Sequence, residues 1–290
     1  MLDQKSNVKL NRFIQNMPPL PITVSKILEI TKDQNVSAQE LNNVISLDPV
    51  LTGRILKLIN SAYYSLPNQI TSIVRAIIML GINTVKNLAL STSVLNTVNK
   101  RENFNALDMD GFWRHSICVG VISKTFANKQ KVDIKAQEEY FVAGLLHDIG
   151  KIPLNSQIPD KYIMAMTLSR QEKSPLFQAE TKVFGINHTD VGITISKQWR
   201  LNPSLQETIC YHHDFTMASD NLKKFVATIS LANIITNKAG IGFSGNKCPE
   251  NKEKELFEVT GLSWDDIDDA ESAAEEAIKK AEVFLKISSY

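Results

Sequence analysis

Residues 138 to 152 read EEYFVAGLLHDIGKI, and the fold turns on this stretch. Phe141, Val142, Leu145, Leu146 and Ile149 recur at helical spacing, which predicts a helix with a buried stripe. On this reading the last turn carries His147 and Asp148 side by side before Gly150 ends the helix. An imidazole and a carboxylate on adjacent positions near a helix C-terminus can converge on one cation lying beside it. The alternative is a partly buried His-Asp hydrogen-bonded pair without metal. The dipeptide alone does not choose.

The other histidines change its weight. The chain has five in all, placed between His115 and His213. His115 shares a helical face with Cys118, Ile122 and Phe126. His188 opens HTDVGITISKQW, and Val191, Ile195 and Trp199 continue its face. His212 extends the stripe of Leu205 and Ile209, and His213 follows it. Each inward imidazole needs a partner, because an unsatisfied buried polar group costs about 1 to 3 kcal/mol. One shared cation satisfies several lone pairs at once, and a ligand set of imidazole and carboxylate without thiolate suits iron, manganese, zinc or nickel without choosing among them.

The surrounding chain is helical in pattern. Its 290 residues are 43% hydrophobic, and Gly (12) and Pro (10) are sparse, which favours long helices over turn-rich β architecture. Ile22 to Thr31 reads as a helix after the rigid NMPPLP turn at residues 16 to 21. Ser37 with Glu40 forms a capping box, and Asp48-Pro49 opens a helix carrying Leu51, Ile55, Leu58 and Ile59. Ile73, Ile77 and Leu80 form a further stripe stopped by Gly81, followed by Val85, Leu88 and Leu95. No period-2 strand is evident, so the expected fold class is all-α.

A polar stretch places a boundary near 105, dividing the chain into residues 1–105, 106–240 and 241–290. The middle part is expected to begin with a helix capped by Asp110. GIGFSGNKCPENKEK, residues 240 to 254, is a Gly-rich charged loop expected to be mobile. Beyond it, Ser263 with Asp266 caps an acidic last helix whose charge reads as a solvated face.

Balanced charge, 32 Lys+Arg against 31 Asp+Glu, argues against nucleic acid or an anionic membrane as the main partner. Cys118, Cys210 and Cys248 offer neither a disulfide framework nor a zinc-finger pair. No run reaches the length of a membrane span, and the N-terminus lacks a signal-peptide core. A cytoplasmic location is expected.

His115, the His147-Asp148 doublet and the later histidines, in that order, resemble the HD superfamily of metal-dependent phosphohydrolases. HDIGK is similar to the branch containing the HD-GYP phosphodiesterases. NMPPLP, LDPVLTGRILKLINSAYYSLP (47 to 67) and ITSIVRAIIMLG (70 to 81) resemble the HDOD domain, the HD-related output domain of bacterial signalling proteins. The resemblance covers about residues 12 to 235.

The resemblance implies that His115, His147 and Asp148 ligate a first metal and that Asp148 bridges to a second, completed by His188, His212 and His213. Many HDOD domains have lost most of these groups, and this chain keeps them. It departs at the last ligand, where HD enzymes place an aspartate on a late helix and KFVATISLANIITN offers Asn233, a neutral and weaker donor. It departs again after His212-His213, where DFTMASDN replaces the Gly-Tyr-Pro motif. That replacement argues against hydrolysis of a cyclic dinucleotide.

Two functions follow. One is a signalling module whose metal organises the fold and whose surface meets a kinase, response regulator or other relay protein. The other is an active phosphohydrolase acting on a phosphoester or nucleotide, with Asp148 at the metal and Lys151 stabilising charge on the phosphoryl oxygens. Lys151 also reads as a solvated lysine complementing a helix C-terminus. Tyr63 and Tyr64 read as packing or interface residues, and Asn60 as part of a turn or inter-helix hydrogen bond.

Overall fold

Local chemistry starts many of the helices. Ser37 and Glu40 form the reciprocal capping box, Asp48 caps a helix with Pro49 in its first turn, and Ser263 and Asp266 form a second box. The computed structural model describes residues 12, 19–33, 35–99 and 106–283. Among them the secondary structure is helical and no strand occurs. Residues 16–18 of the proline-rich turn and the expected boundary near 105 lie outside the described residues.

The elements are α1 (Ile22–Ile30), α2 (Ala38–Ile45), α3 (Pro49–Ile59), α4 (Ile73–Leu80), α5 (Ile82–Asn99), α6 (Met109–Lys129), α7 (Ile134–Leu146) and α8 (Lys151–Gln157). They continue as α9 (Pro159–Glu172), α10 (Leu176–Phe184), α11 (His188–Gln198), α12 (Pro203–Tyr211), α13 (Lys223–Ala239), α14 (Glu253–Thr260) and α15 (Trp264–Ala281), with a single 3-10 turn at Phe215–Met217. The residue capping α6 is Asp108, whose carboxylate accepts the Gly111 N–H, and not the expected Asp110, which lies within the first turn. Both acids suit a helix start, so local spacing does not separate them.

The scaffold of the site is the antiparallel pair α6 and α7. They approach closely because glycines face each other: a Cβ on Gly144 would lie 2.7 Å from the Gly120 Cα. Helix α13 packs against both, and α5 packs on α7 from the N-terminal half. One apolar core runs from Leu20 to Ile278. Asn60 joins the turns as expected, accepting the Ile70 N–H at 2.7 Å and donating to the Ile70 carbonyl at 2.8 Å. Tyr63 packs on Tyr64 and Phe141, and the Lys124 ammonium lies 4.8 Å from its ring while pairing with buried Glu138 at 2.6 Å.

Two C-terminal features depart from expectation. The segment at 240–252 is tied down: Phe243 N–H donates to the Gly111 carbonyl, Asn246 accepts the Leu176 N–H, and the Lys252 ammonium donates to the His213 carbonyl. Gly242, at φ +66, lies so close to α6 that a Cβ would come within 2.3 Å of the His115 backbone nitrogen. The acidic face of α15 is not wholly solvated, since Lys129 pairs with Asp266 and Asp269 and Arg114 with Glu282.

Candidate metal centre

All the expected site residues come together. His115 projects from the middle of α6, His188 from the first position of α11, and His212 and His213 from the end of α12. Asn233 lies on α13. His147 and Asp148 do not sit in the last turn of a helix. Helix α7 ends at Leu146, and the doublet occupies the tight turn joining it to α8. Gly150 does not end a helix through a left-handed conformation, having φ −67, but permits contact: a Cβ there would fall 1.9 Å from the His188 carbonyl oxygen. Packing against α11 therefore sets the doublet's place.

Asp148 and His147 are fully buried, and His115, His188, His212 and His213 are 1%, 1%, 3% and 8% exposed. The Asp148 carboxylate reaches His147 Nε2 at 3.2 Å, His188 Nε2 at 3.2 Å and His212 Nε2 at 3.6 Å. His188 Nε2 faces His212 Nε2 at 3.4 Å and His213 Nε2 at 3.1 Å. His115 Nε2 lies 3.1 Å from Asn233 Oδ1. Lys151 is 2% exposed, with its ammonium 2.6 Å from Asp148 Oδ2, so it is not a solvated helix-end lysine.

The far side of each ring decides its tautomer. His147 Nδ1 faces the Gly144 carbonyl at 2.7 Å, and His212 Nδ1 the Thr208 carbonyl at 3.0 Å. His188 Nδ1 faces Glu180 Oε2 at 2.6 Å, and His213 Nδ1 faces Glu250. These oxygens accept, so each Nδ1 carries a proton and each ring turns its Nε2 inward, as a lone pair in the neutral form. Lone pairs that face one another at such distances repel unless a positive charge lies between them. A proton is disfavoured in that role, because burial holds the His188 and His212 pKa values well below the ordinary histidine range.

The donor set therefore fits a divalent cation. His147 Nε2 and Asp148 Oδ1 have no hydrogen-bond partner, although both are buried. Donor atoms of Asp148, His188, His212 and His213 lie within 4.8 Å of one another, as do those of His115, His147 and Asp148. Asp148 belongs to both groups, as a bridging carboxylate would. Burial favours its neutral acid, yet the Lys151 ammonium 2.6 Å away holds its pKa well below the usual carboxylate range, leaving it anionic. Burial lowers the His115 pKa to about 3.

Three supporting residues escaped the sequence reading. Glu180 accepts both the backbone N–H and the ring N–H of His188, and burial raises its pKa to about 7. Glu250 supports His213, and Phe177 stacks on that ring with centroids 4.3 Å apart. No local signal marks Glu180 or Glu250, because their partners are 8 and 37 residues away.

The sequence matches the HDOD domain over residues 17–215, more than half the chain. The chain belongs to the HDOD family. An HDOD domain protein of unknown function from Geobacter sulfurreducens is 26% identical, with a TM-score of 0.77 covering 95% of this chain and 96% of that one. A candidate phosphohydrolase from Shewanella amazonensis shares the fold at 18% identity and a TM-score of 0.71, covering 95% of this chain and 98% of its own. An uncharacterized protein of Treponema pallidum (strain Nichols) is 23% identical over 221 residues, 76% of this chain. This chain spans 42% of the length of that relative. Among the described residues, no single helix is long and apolar enough to cross a membrane.

Proposed function

We propose that this HDOD protein is a signal-transduction module whose HD-type centre holds one or two divalent cations as part of its structure, and that it acts through a relay partner such as a kinase or response regulator. The observation that carries the reading is the closed cage of four inward Nε2 lone pairs around Asp148. These rings and the carboxylate are at most 8% exposed, so the arrangement suits retention of a cation better than exchange of substrate and product. Asn233 beside His115, where HD enzymes place an aspartate, removes one negative charge from the site, and no Gly-Tyr-Pro follows His213.

A second reading, a working phosphohydrolase, draws on the shared Asp148 and the buried Lys151 beside it. A cation held there would supply Lewis-acid chemistry, lowering the pKa of a water. Lys151 would neutralise charge on a phosphoryl oxygen, and Asp148 would orient the donor set. Screening the metal-loaded protein against bis(p-nitrophenyl) phosphate and a nucleotide panel separates the two. The signalling reading expects no turnover above the Asp148→Ala background. Metal-dependent hydrolysis lost in Asp148→Ala overturns it in favour of the enzyme.

A further inference from the structure

The metal centre lies at one end of α11 and α12. At the other end, where these helices meet α1 and α5, is a groove of about 570 Å3, within the range of about 300 to 1,000 Å3 usual for small-ligand sites. Lys32, Lys86, Lys197 and Arg200 all line it, and no Asp or Glu does. In a chain with 32 basic and 31 acidic residues, four cations gathered around one cavity without a lining carboxylate form a marked local excess. Such a concave basic site focuses potential on an anion.

Two groups within the groove point to a ligand more strongly than the rim charges do. Asn87 is 1% exposed, and its Nδ2 has no hydrogen-bond partner. A buried amide N–H left in this state lacks an acceptor, which a ligand oxygen would provide. Lys86 is partly buried on the same helix, α5, and burial pulls its pKa down against the attraction of Glu139. Glu139 is itself engaged, accepting from Asn202 Nδ2 at 2.6 Å and from the Ser204 hydroxyl. Leu28, Leu90 and Leu205 give the same cavity an apolar wall.

We propose that this groove binds a small amphiphilic anion, a phosphorylated molecule of mononucleotide size, with its charged end at Lys86, Asn87 and Arg200 and its apolar part against the leucines. Such a ligand bridges the N-terminal helices and the helices that carry His188 and His212. The site is separate from the metal centre, since α11 has His188 at its first position and spans 11 residues, about 16 Å at 1.5 Å per residue, before Arg200.

The test is calorimetric titration of the full-length protein with adenosine 5′-monophosphate, inorganic phosphate and adenosine at low salt. Adenosine 5′-monophosphate is expected to bind more tightly than either of the others. Its affinity should fall at least about tenfold in Lys86→Met and in Arg200→Met, as expected for the loss of a charge-assisted contact. Lys197→Glu, a change on an exposed side chain, should weaken binding as well and serves as the variant least able to disturb folding. The proposal is overturned by no binding at millimolar probe, by equal affinity for adenosine or inorganic phosphate, or by unchanged affinity in all three basic-residue variants.

Discussion

Glu250 accepts the Nδ1 proton of His213 across 37 residues of chain, from a loop whose composition reads as mobile. The contact is one of several holding residues 240–252 against the metal centre, and it fixes which nitrogen of His213 faces inward. Glu250→Gln is expected to weaken metal binding by about 10- to 100-fold, the usual effect of losing an acceptor behind a metal-bound histidine. Competition with a chromophoric chelator measures it. Wild-type affinity in the variant would leave Glu250 without this role.

Lys151 and Asp148 form a buried ion pair next to the histidine lone pairs. Removing one partner of such a pair leaves an uncompensated charge and typically costs about 3 to 5 kcal/mol. Lys151→Met should therefore lower the melting temperature in the presence of EDTA, and added divalent metal should restore much of the loss by supplying the missing positive charge. A melting temperature equally depressed with and without metal would contradict this.

The pH dependence follows from His115. Its folded pKa is about 3 against an ordinary value of 6.5, so below pH 6.5 the unfolded chain binds a proton that the folded chain does not. Stability is thus present in full above pH 6.5 and declines as pH falls towards 3, by about 2 kcal/mol between 6.5 and 5 at 1.36 kcal/mol per unit. His188 and His212 act in the same direction, whereas Glu180, raised from 4.5 to about 7 by burial, gains stability as pH falls between those values and offsets part of the decline. Glu250, pulled from 4.5 to about 2 by His213 against its burial, adds a further loss only below 4.5. Thermal melts of metal-free protein at pH 7 and pH 5 should show this decline, with a shallower slope in His115→Asn.

Gly150 holds the doublet's turn against α11. Gly150→Ala would drive a Cβ to 1.9 Å from the His188 carbonyl, a backbone atom that cannot swing aside. The expected outcome is destabilisation of about 1 to 3 kcal/mol or more, together with weaker metal binding because His188 is displaced. Chemical denaturation and metal titration of the same sample check both.

Much of the helical frame is legible locally, because Ser37-Glu40, Asp48-Pro49 and Ser263-Asp266 each satisfy helix-end N–H groups within one turn. The inward placement of the five histidines is legible for a related reason: periodicity reports burial. What periodicity does not carry is contact between distant segments. The apolar stripe from Phe141 runs on through Ile149, yet the helix stops at Leu146 because Gly150 must meet α11. Lys151 reads as solvated until Asp148 is seen to accept it in the core. Glu180 and Glu250 have no pattern of their own, and their roles exist only once α11, α12 and the 240–252 segment are assembled.

Whether these lone pairs enclose a divalent metal is read from elemental analysis of the freshly purified 290-residue chain. Roughly one or two equivalents of a divalent transition metal per chain are expected, falling to background in Asp148→Ala while the helical circular dichroism spectrum is retained. Folded wild-type protein that carries no stoichiometric metal, and takes up none on incubation with iron, manganese, zinc or nickel, would contradict it.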